Sequence, residues 1–207
     1  AGEEPGQLFT AEKGHARITL VAQGRGGHSS RPWALDNPVP RLFEGYLKFR
    51  EAWGEGFGGT DRWQTVLSPT MLHASEADNV VADTATMMLS CRYVSMSDYE
   101  RAVALLKATG LEVRADPGRR PVENRPGDPE ITALLAAMRD KLPGGIREGR
   151  MSAATDASFY AGCGVPIVIF TAEGGEPHSV REWGSLSSLD AYAVFLTDYL
   201  GCRAPAR

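Results

Sequence analysis

Cysteine is scarce in this sequence, and an apolar run long enough to span a membrane is missing. The three cysteines, Cys91, Cys163 and Cys202, are an odd number without paired spacing. This argues against a disulfide framework and favours buried free thiols in a reducing compartment. No apolar stretch approaches the roughly 20 residues that a bilayer span requires. We therefore expect a cytoplasmic protein that does not enter a membrane.

An excess of positive charge is also missing. The 207 residues carry 22 Lys and Arg against 26 Asp and Glu, a net charge of −4, whereas nucleic-acid-binding surfaces need clustered basic side chains. The composition is globular: 43% of the residues are hydrophobic and 23 residues are glycine. A disordered or collagen-like chain is excluded. Small molecules or proteins are the expected partners, not nucleic acid.

The first residues of the given sequence lack the usual features of a protein N-terminus. It opens AGEEPG, with no initiator methionine, no basic-then-apolar signal segment and no strand or helix pattern before Phe9. We expect that a segment has been removed upstream.

The first half alternates strand and helix patterns. Apolar side chains at every second position of residues 14–23 predict a half-buried strand. The predicted elements are strands at 14–23, 64–73, 83–94 and 111–114, a helix capped by Asp36 or Asn37 and ended by the glycines at 54–59, and a helix capped by Ser97 or Asp98. The order strand, helix, strand, strand, helix, strand predicts a ferredoxin-like α+β domain (βαββαβ), with one antiparallel sheet and two helices on one face.

The second half has a different pattern. A stretch rich in proline and glycine at 116–129 predicts a loop or a crossing between domains. The apolar run at 165–170 is typical of a strand buried on both faces, which needs covering layers that these residues do not supply. We expect an incomplete second domain. Its other predicted elements are a helix at 128–141, a strand at 146–151, a helical turn at 155–161 and a helix at 185–200.

Two of the four histidines lie in loops that can carry chemistry. His28 follows glycines at 26–27, and His178 lies in the segment 173–179. Loops on a rigid scaffold often carry binding groups. A lone histidine specifies no ligand set, so exposed histidines without a function are an equally simple interpretation. The sequence has no serine-hydrolase elbow, phosphate loop or dinucleotide fingerprint.

Five segments, taken in order, resemble the zinc-dependent aminoacylases and carboxypeptidases, a family that includes acetylornithine deacetylase, succinyl-diaminopimelate desuccinylase and glutamate carboxypeptidase. They are TAEKG at 10–14, GRGGHSSRP at 24–32, DNVVAD at 78–83 with Arg92 in the next strand, TDASFY at 155–160, and GVPIVIF at 164–170 leading to PHS at 177–179. Each segment alone is a weak signal. Their order over nearly the whole chain carries the resemblance.

The resemblance implies an α/β catalytic domain with two zinc ions, interrupted by an inserted ferredoxin-like domain that forms the homodimer. Residues 1–13 would be a remnant of the catalytic domain, 14–118 the dimerisation domain, and 119–207 the C-terminal part of the catalytic domain. The metal ligands in this chain would be His178 and Glu4, with Glu3 as the fallback.

The same resemblance implies roles for other residues. His28 would reach across the dimer to polarise the scissile carbonyl, an oxyanion-type role. Asn79 and Arg92 would bind the carboxylate of a small substrate. Thr155 and Asp156 would line the substrate site, although Ala153 and Ala154 replace the family's glycines. A helix N-cap is an equally simple interpretation of Thr155 and Asp156.

The implied reaction is metal-assisted hydrolysis of the amide bond of an N-acyl amino acid or small peptide. The family's His-x-Asp motif and its general-base Glu-Glu pair lie upstream of the position that Glu4 matches, so we expect this chain alone to be inactive. The alternative hypothesis is a dimerisation or interaction module, or a catalytically dead relative, that binds no metal.

Overall fold

A computed structural model describes residues 7–54, 62–142, 146–176 and 179–203. The strands are β1 Gln7–Glu12, β2 Gly14–Gln23, β3 Gly27–His28, β4 Val66–His73, β5 Val80–Val81, β6 Thr84–Tyr93, β7 Glu112–Arg119, β8 Val122–Glu123, β9 Arg147–Met151, β10 Ile169–Phe170, β11 Gly174–Gly175 and β12 Trp183–Gly184. The helices are α1 Pro38–Trp53, α2 Met96–Lys107, α3 Pro129–Lys141 and α4 Leu186–Gly201, with short 3-10 turns at Pro32–Ala34 and Asp156–Tyr160.

The chain forms two compact units. The first unit is Lys13–Pro121 with Ser152–Phe159, and the second unit is Ala1–Glu12, Val122–Met151 and Tyr160–Arg207. In the first unit the strands lie in the order β4-β6-β2-β7, and every neighbouring pair is antiparallel. The predicted succession of strand, helix, strand, strand, helix and strand is present, with the short β3 and β5 added in the connections.

Alternation along the two central strands builds the core of the first unit. On β2, Ile18 and Leu20 are fully buried, and Leu89 lies opposite Ile18 on β6. Leu42 from α1 and Leu106 from α2 belong to the same buried cluster. Because both helices contribute to the core on this face, the alternate residues of the strands form the other, more polar face of the sheet.

The two helices of the first unit begin at capping side chains. The Asn37 side chain accepts the N–H of Val39, so α1 begins after one of the two predicted caps. For α2 the prediction of Ser97 or Asp98 is wrong: the cap is Ser95, whose hydroxyl accepts the N–H of Asp98. Gly54, with φ of 84°, ends α1, whereas the other predicted glycines at 55–59 lie outside the described residues.

Strand β7 is longer than the sequence indicates. The sequence predicts a strand at 111–114 followed by a loop from residue 116, but β7 runs to Arg119 and pairs with β2 as far as His15. The register between β2 and β7 shifts between His15, which lies opposite Arg119, and Arg17, which lies opposite Asp116. The antiparallel partner supplies hydrogen bonds that hold a proline- and glycine-containing segment as an edge strand.

The second unit is organised around β1. This strand pairs antiparallel with β8 and β10 and parallel with β9. Leu8 on β1, Met138 on α3 and Phe195 on α4 belong to one buried cluster. The pattern before Phe9 was not recognised as a strand, although β1 begins at Gln7.

Two expectations about buried residues are wrong. The run 165–170 is not a strand buried on both faces, because only Ile169–Phe170 is a strand and Val165 is 60% exposed. The cysteines are all free, as expected, but only Cys91 is buried, and Cys163 and Cys202 are exposed. Within the part of the chain that the structure describes, no helix has the length and apolar character to cross a membrane.

Candidate functional site

The candidate residues of the first unit form two groups at opposite ends of its sheet. The first group, called the loop cluster, consists of His28, Asn79 and the segment 24–27. The second, called the basic rung, consists of Arg92, His15 and Arg119. The loop cluster lies beside the start of β6 and the basic rung near its end.

A single carboxylate shapes the loop that carries His28. The N–H of Gly26 donates to Oδ1 of Asp83 at 2.8 Å, and the N–H of Gly24 donates to the Asp83 carbonyl oxygen at 2.7 Å. A Cβ on Gly26 would come within 2.3 Å of the carbonyl oxygen of Val81. The glycine therefore permits a backbone approach that any side chain would prevent.

His28 and Asn79 are brought together by the short pair β3 and β5. His28 lies opposite Val80, and the N–H of Ser29 donates to the Asn79 carbonyl oxygen at 2.9 Å. The Nδ1 atom of His28 accepts the N–H of Ser30 at 3.2 Å. In the neutral ring the proton is then on Nε2, which leaves an N–H donor on an exposed side chain. This arrangement suits a group that donates to a carbonyl oxygen.

The basic rung crosses three strands on the polar face of the sheet. His15 on β2 lies opposite Arg92 on β6 and opposite Arg119 on β7. Arg17, two residues along β2, extends the same positive surface. The Nε2 atom of His15 is 3.3 Å from the Ser90 hydroxyl.

Neighbouring charges act on two basic side chains near Arg92. The pKa of His15 is lowered, first by burial and then by the guanidinium groups of Arg92, Arg17 and Arg119. Burial, and then Arg92, also lower the pKa of Lys13, whose Nζ lies 5.4 Å from the centre of the Trp63 ring. The second cause of both shifts, repulsion by the Arg92 guanidinium, reflects the positive charge at this end of the sheet.

Thr155 and Asp156 lie beside the end of the rung at Arg119. The Arg119 guanidinium is 3.3 Å from Oδ1 of Asp156 and donates to the carbonyl oxygen of Ala154 at 3.4 Å. The Thr155 hydroxyl accepts the N–H of Ala157, as a residue does at the start of a helical turn. The capping interpretation of Thr155 is therefore correct, and Asp156 has a defined partner on β7.

Asn79 and Arg92, the two residues expected to share a substrate carboxylate, are far apart in one chain. From Thr84 to Arg92 strand β6 advances by about 26 Å, at roughly 3.3 Å per residue. Asn79 precedes β6 in the chain and lies at the same end of the sheet as His28. One copy of the first unit therefore does not bring Asn79 and Arg92 to the same small ligand.

The expected metal ligands Glu3, Glu4 and His178 lie outside the described residues. Among the residues that the structure does describe, no three His, Cys, Asp or Glu side chains form a group that could hold a metal ion. The described residues by themselves therefore do not supply a complete ligand set for zinc.

Sequence reasoning missed two residues that position these groups. Asp83 ends the segment DNVVAD at 78–83, and the sequence assigns it no role. In the structure its carboxylate and its carbonyl oxygen accept hydrogen bonds from the loop that carries His28. Arg119 was placed in a predicted loop, yet it completes the basic rung. Asp83 could have been suspected as a polar residue directly before a buried strand, whereas the neighbours of Arg119 depend on the β2–β7 register.

Comparison with known proteins identifies the first unit. Residues 10–109 match the peptidase dimerisation domain of the M20 peptidases. The resemblance to zinc-dependent aminoacylases and carboxypeptidases is thereby confirmed.

Two hydrolases are similar to this chain in sequence. The chain is 31% identical over 138 residues to a LysW-lysine/LysW-ornithine hydrolase of Pyrobaculum aerophilum, covering 65% of this chain and 38% of the relative. It is 26% identical over 202 residues to a succinyl-diaminopimelate desuccinylase of Gluconacetobacter diazotrophicus, covering 91% of this chain and 51% of the relative. The chain thus spans about half or less of the length of these relatives.

The fold of the chain is similar to that of solved structures. Aminopeptidase PepT of Bacillus cereus superposes with a TM-score of 0.78 at 17% identity, covering 95% of this chain and 53% of PepT. At that identity the likeness establishes the mixed α/β fold alone.

Proposed function

We propose that this chain is part of a homodimeric M20 metallohydrolase that cleaves the amide bond of an N-acyl amino acid or small peptide. Its first unit is the ferredoxin-like dimerisation domain, and the second unit is part of the catalytic domain. Zinc, with Glu4 and His178 as ligands, is the metal that the family resemblance implies.

The separation of Asn79 from Arg92 carries this proposal. Asn79 lies before the start of β6 and Arg92 lies about 26 Å along that strand from Thr84, so the two residues can serve one small substrate only if they come from different copies of the chain. A two-fold dimer presents the same surface from both copies, so it creates two equivalent composite sites. Each would combine His28 and Asn79 of one protomer with Arg92 of the other.

The first unit has surfaces suited to such a dimer. Within the described residues β4 is an edge strand that pairs only with β6, so its other edge presents unpaired backbone groups. Met71 and Leu72 on β4 are each 54% exposed, and Leu47 on α1 is 50% exposed. Burial of these side chains against a second copy would remove apolar surface from water.

Each residue then has a defined task. The planar guanidinium of Arg92 binds the substrate carboxylate with paired hydrogen bonds, and the Asn79 amide of the other protomer orients the substrate. The Nε2–H of His28 donates to the carbonyl oxygen of the amide as negative charge develops there. The metal supplies Lewis-acid chemistry to the intact enzyme when it is bound.

The test mixes two inactive variants of the full-length protein that contains this chain. His28→Ala and Arg92→Ala are each expected to abolish hydrolysis of N-acyl amino acids. After dissociation and mixing in equal amounts, about one quarter of the wild-type activity should return, because half of the dimers are mixed and each mixed dimer has one intact composite site.

A control mixes His28→Ala with Asn79→Ala. Because His28 and Asn79 of one site come from the same protomer, every site of a mixed dimer then lacks either His28 or Asn79, and no activity above that of the single variants should return. No recovery in the first mixture would overturn the composite site. A full-length protein without amide hydrolysis on any substrate would instead favour the non-catalytic module.

A further inference from the structure

The polar face of the first unit has a depression beside Arg92 that the proposed reaction does not use. It has a volume of about 190 Å³ and is lined by His15, Arg17, Asp116, Gly118 and Arg119. All five residues belong to β2 or β7, so two hydrogen-bonded strands form its floor.

Basic side chains predominate in and around this depression. Arg17, Arg92 and Arg119 surround His15 closely enough that all three lower its pKa. Two carboxylates oppose these guanidinium groups. Asp116 accepts the N–H of Gly118 at 2.9 Å, and Asp156, whose side chain is 84% exposed, lies 3.3 Å from Arg119. An anion placed among the guanidinium groups would relieve their mutual repulsion.

Contacts with neighbouring residues fix the position of the Arg119 guanidinium. Arg119 contacts Asp156 and Ala154, and its guanidinium carbon lies 5.5 Å from the centre of the Phe159 ring. The Tyr93 hydroxyl donates to the Arg119 carbonyl oxygen at 2.9 Å. Because backbone and side chain are both held, less conformational entropy is lost when Arg119 binds an anion.

The spacing suits a ligand with two carboxylates. Arg92 and Arg119 are separated by one intervening strand, which places their backbones about 10 Å apart at roughly 4.8 Å per strand. Arginine side chains extend several ångströms from the backbone, so the two guanidinium groups can contact carboxylates that are a few bonds apart. A ligand carboxylate at Arg92 would then leave a second carboxylate within reach of His15, Arg17 and Arg119.

We propose that His15, Arg17 and Arg119 form a second carboxylate-binding subsite beside Arg92, so that the preferred substrate is an N-acyl amino acid with a second carboxylate. The assignment to a substrate rests on the proposed function. The anion-binding site itself does not, because all of its residues are present in this chain.

Binding is tested on the 207-residue chain by NMR titration of the His15 imidazole, whose signal is assigned with His15→Gln. The probes are glutarate, with two carboxylates, butyrate, with one, and inorganic sulfate. Glutarate should shift the His15 signal and half-saturate at a concentration at least about fivefold lower than butyrate, because a second charge-assisted hydrogen bond forms. No shift with glutarate, or tighter binding of sulfate, would overturn the proposal.

Variants locate the site. Arg17→Gln and Arg119→Gln should each weaken glutarate binding by about tenfold or more, as expected for a lost hydrogen bond to a charged group. Arg114→Gln removes the same charge from β7 at a position paired with Glu112, and it should weaken binding by less than about twofold. An equal loss in all three variants would show a general electrostatic attraction and overturn the site. Arg17→Gln remains informative if Arg119→Gln disturbs the 152–159 segment.

The full-length protein separates the two proposals. Arg17→Gln should raise the KM for N-acetylglutamate about tenfold and leave the KM for N-acetylglutamine unchanged. Hydrolysis of both substrates with no effect of Arg17→Gln would overturn the subsite and leave the proposed function intact. Glutarate binding by the chain without any hydrolysis by the full-length protein would support the subsite and overturn the proposed function.

Discussion

The Tyr93 hydroxyl at the end of β6 lies 2.9 Å from the carbonyl oxygen of Arg119 and 2.8 Å from that of Pro117. Its ring also packs on Gly14, where a Cβ would come within 2.4 Å of the ring. One side chain of β6 thus secures the last residues of β7 across the intervening strand β2. This contact holds Arg119 level with His15 and Arg92.

Removal of the Tyr93 hydroxyl should destabilise the first unit. Tyr93→Phe removes the single O–H that the carbonyl oxygens of Pro117 and Arg119 share, and the expected loss is about 1–3 kcal/mol in the free energy of unfolding. Urea unfolding followed by circular dichroism measures it. Tyr160→Phe, at a side chain that is 64% exposed, is the matched control and should change stability by less than about 0.5 kcal/mol. Equal effects of both substitutions would contradict the anchoring role.

The Asp83 carboxylate should be needed for activity more than for stability. Asp83→Ala removes the acceptor for Gly26, so the loop that carries His28 loses its hydrogen-bonded geometry. We expect kcat/KM of the full-length protein to fall about tenfold, because a displaced donor stabilises the transition state less well. Asp83→Asn retains an acceptor oxygen and should restore most of the activity. If Asp83→Asn is as impaired as Asp83→Ala, the carboxylate charge, not the hydrogen bond, is what matters.

His15 should make the first unit less stable as the pH falls. Its pKa is lowered in the folded chain by burial and by the nearby guanidinium groups, so the unfolded chain binds this proton more readily. The free energy of unfolding therefore decreases as the pH falls from the unfolded pKa of about 6.5 to the lower folded pKa, and is unaffected by this group above that window.

Urea unfolding at a series of pH values between 7 and 5 checks this contribution. His15→Gln should reduce the decrease in stability on acidification, whereas His73→Gln leaves the contribution of His15 in place. An identical pH dependence for His15→Gln and the unsubstituted chain would rule out the coupling to Arg92, Arg17 and Arg119.

The three cysteines should react at different rates with a thiol reagent. Cys163 and Cys202 are exposed, whereas Cys91 is buried and burial raises its pKa to about 12. Since the thiolate is the reactive form, two thiols should react in the native chain and the third only after unfolding. The double variant Cys163→Ser/Cys202→Ser should lack the fast reaction. Rapid modification of that variant would show that the core around Cys91 opens readily.

The local sequence was sufficient to predict those elements that depend on residues adjacent in the chain. The alternation at 14–23 correctly predicted β2, and Asn37, one of the two predicted caps, does cap α1. The cap of α2 was misplaced because Ser95, Ser97 and Asp98 are all capping residue types. The motif order was sufficient for the family, because such motifs keep their order along the chain.

The sequence by itself determined the alternating strands, most helix ends, the family and the identity of the candidate residues. Only the tertiary structure decided which of these residues are neighbours. Periodicity reports the face of a strand but not its register with a partner, which is set by long-range pairing and packing. That register brings Arg119 level with Arg92 and leaves Asn79 at the opposite end of the sheet. It also holds residues 116–119 in β7, despite the proline and glycine that predicted a loop.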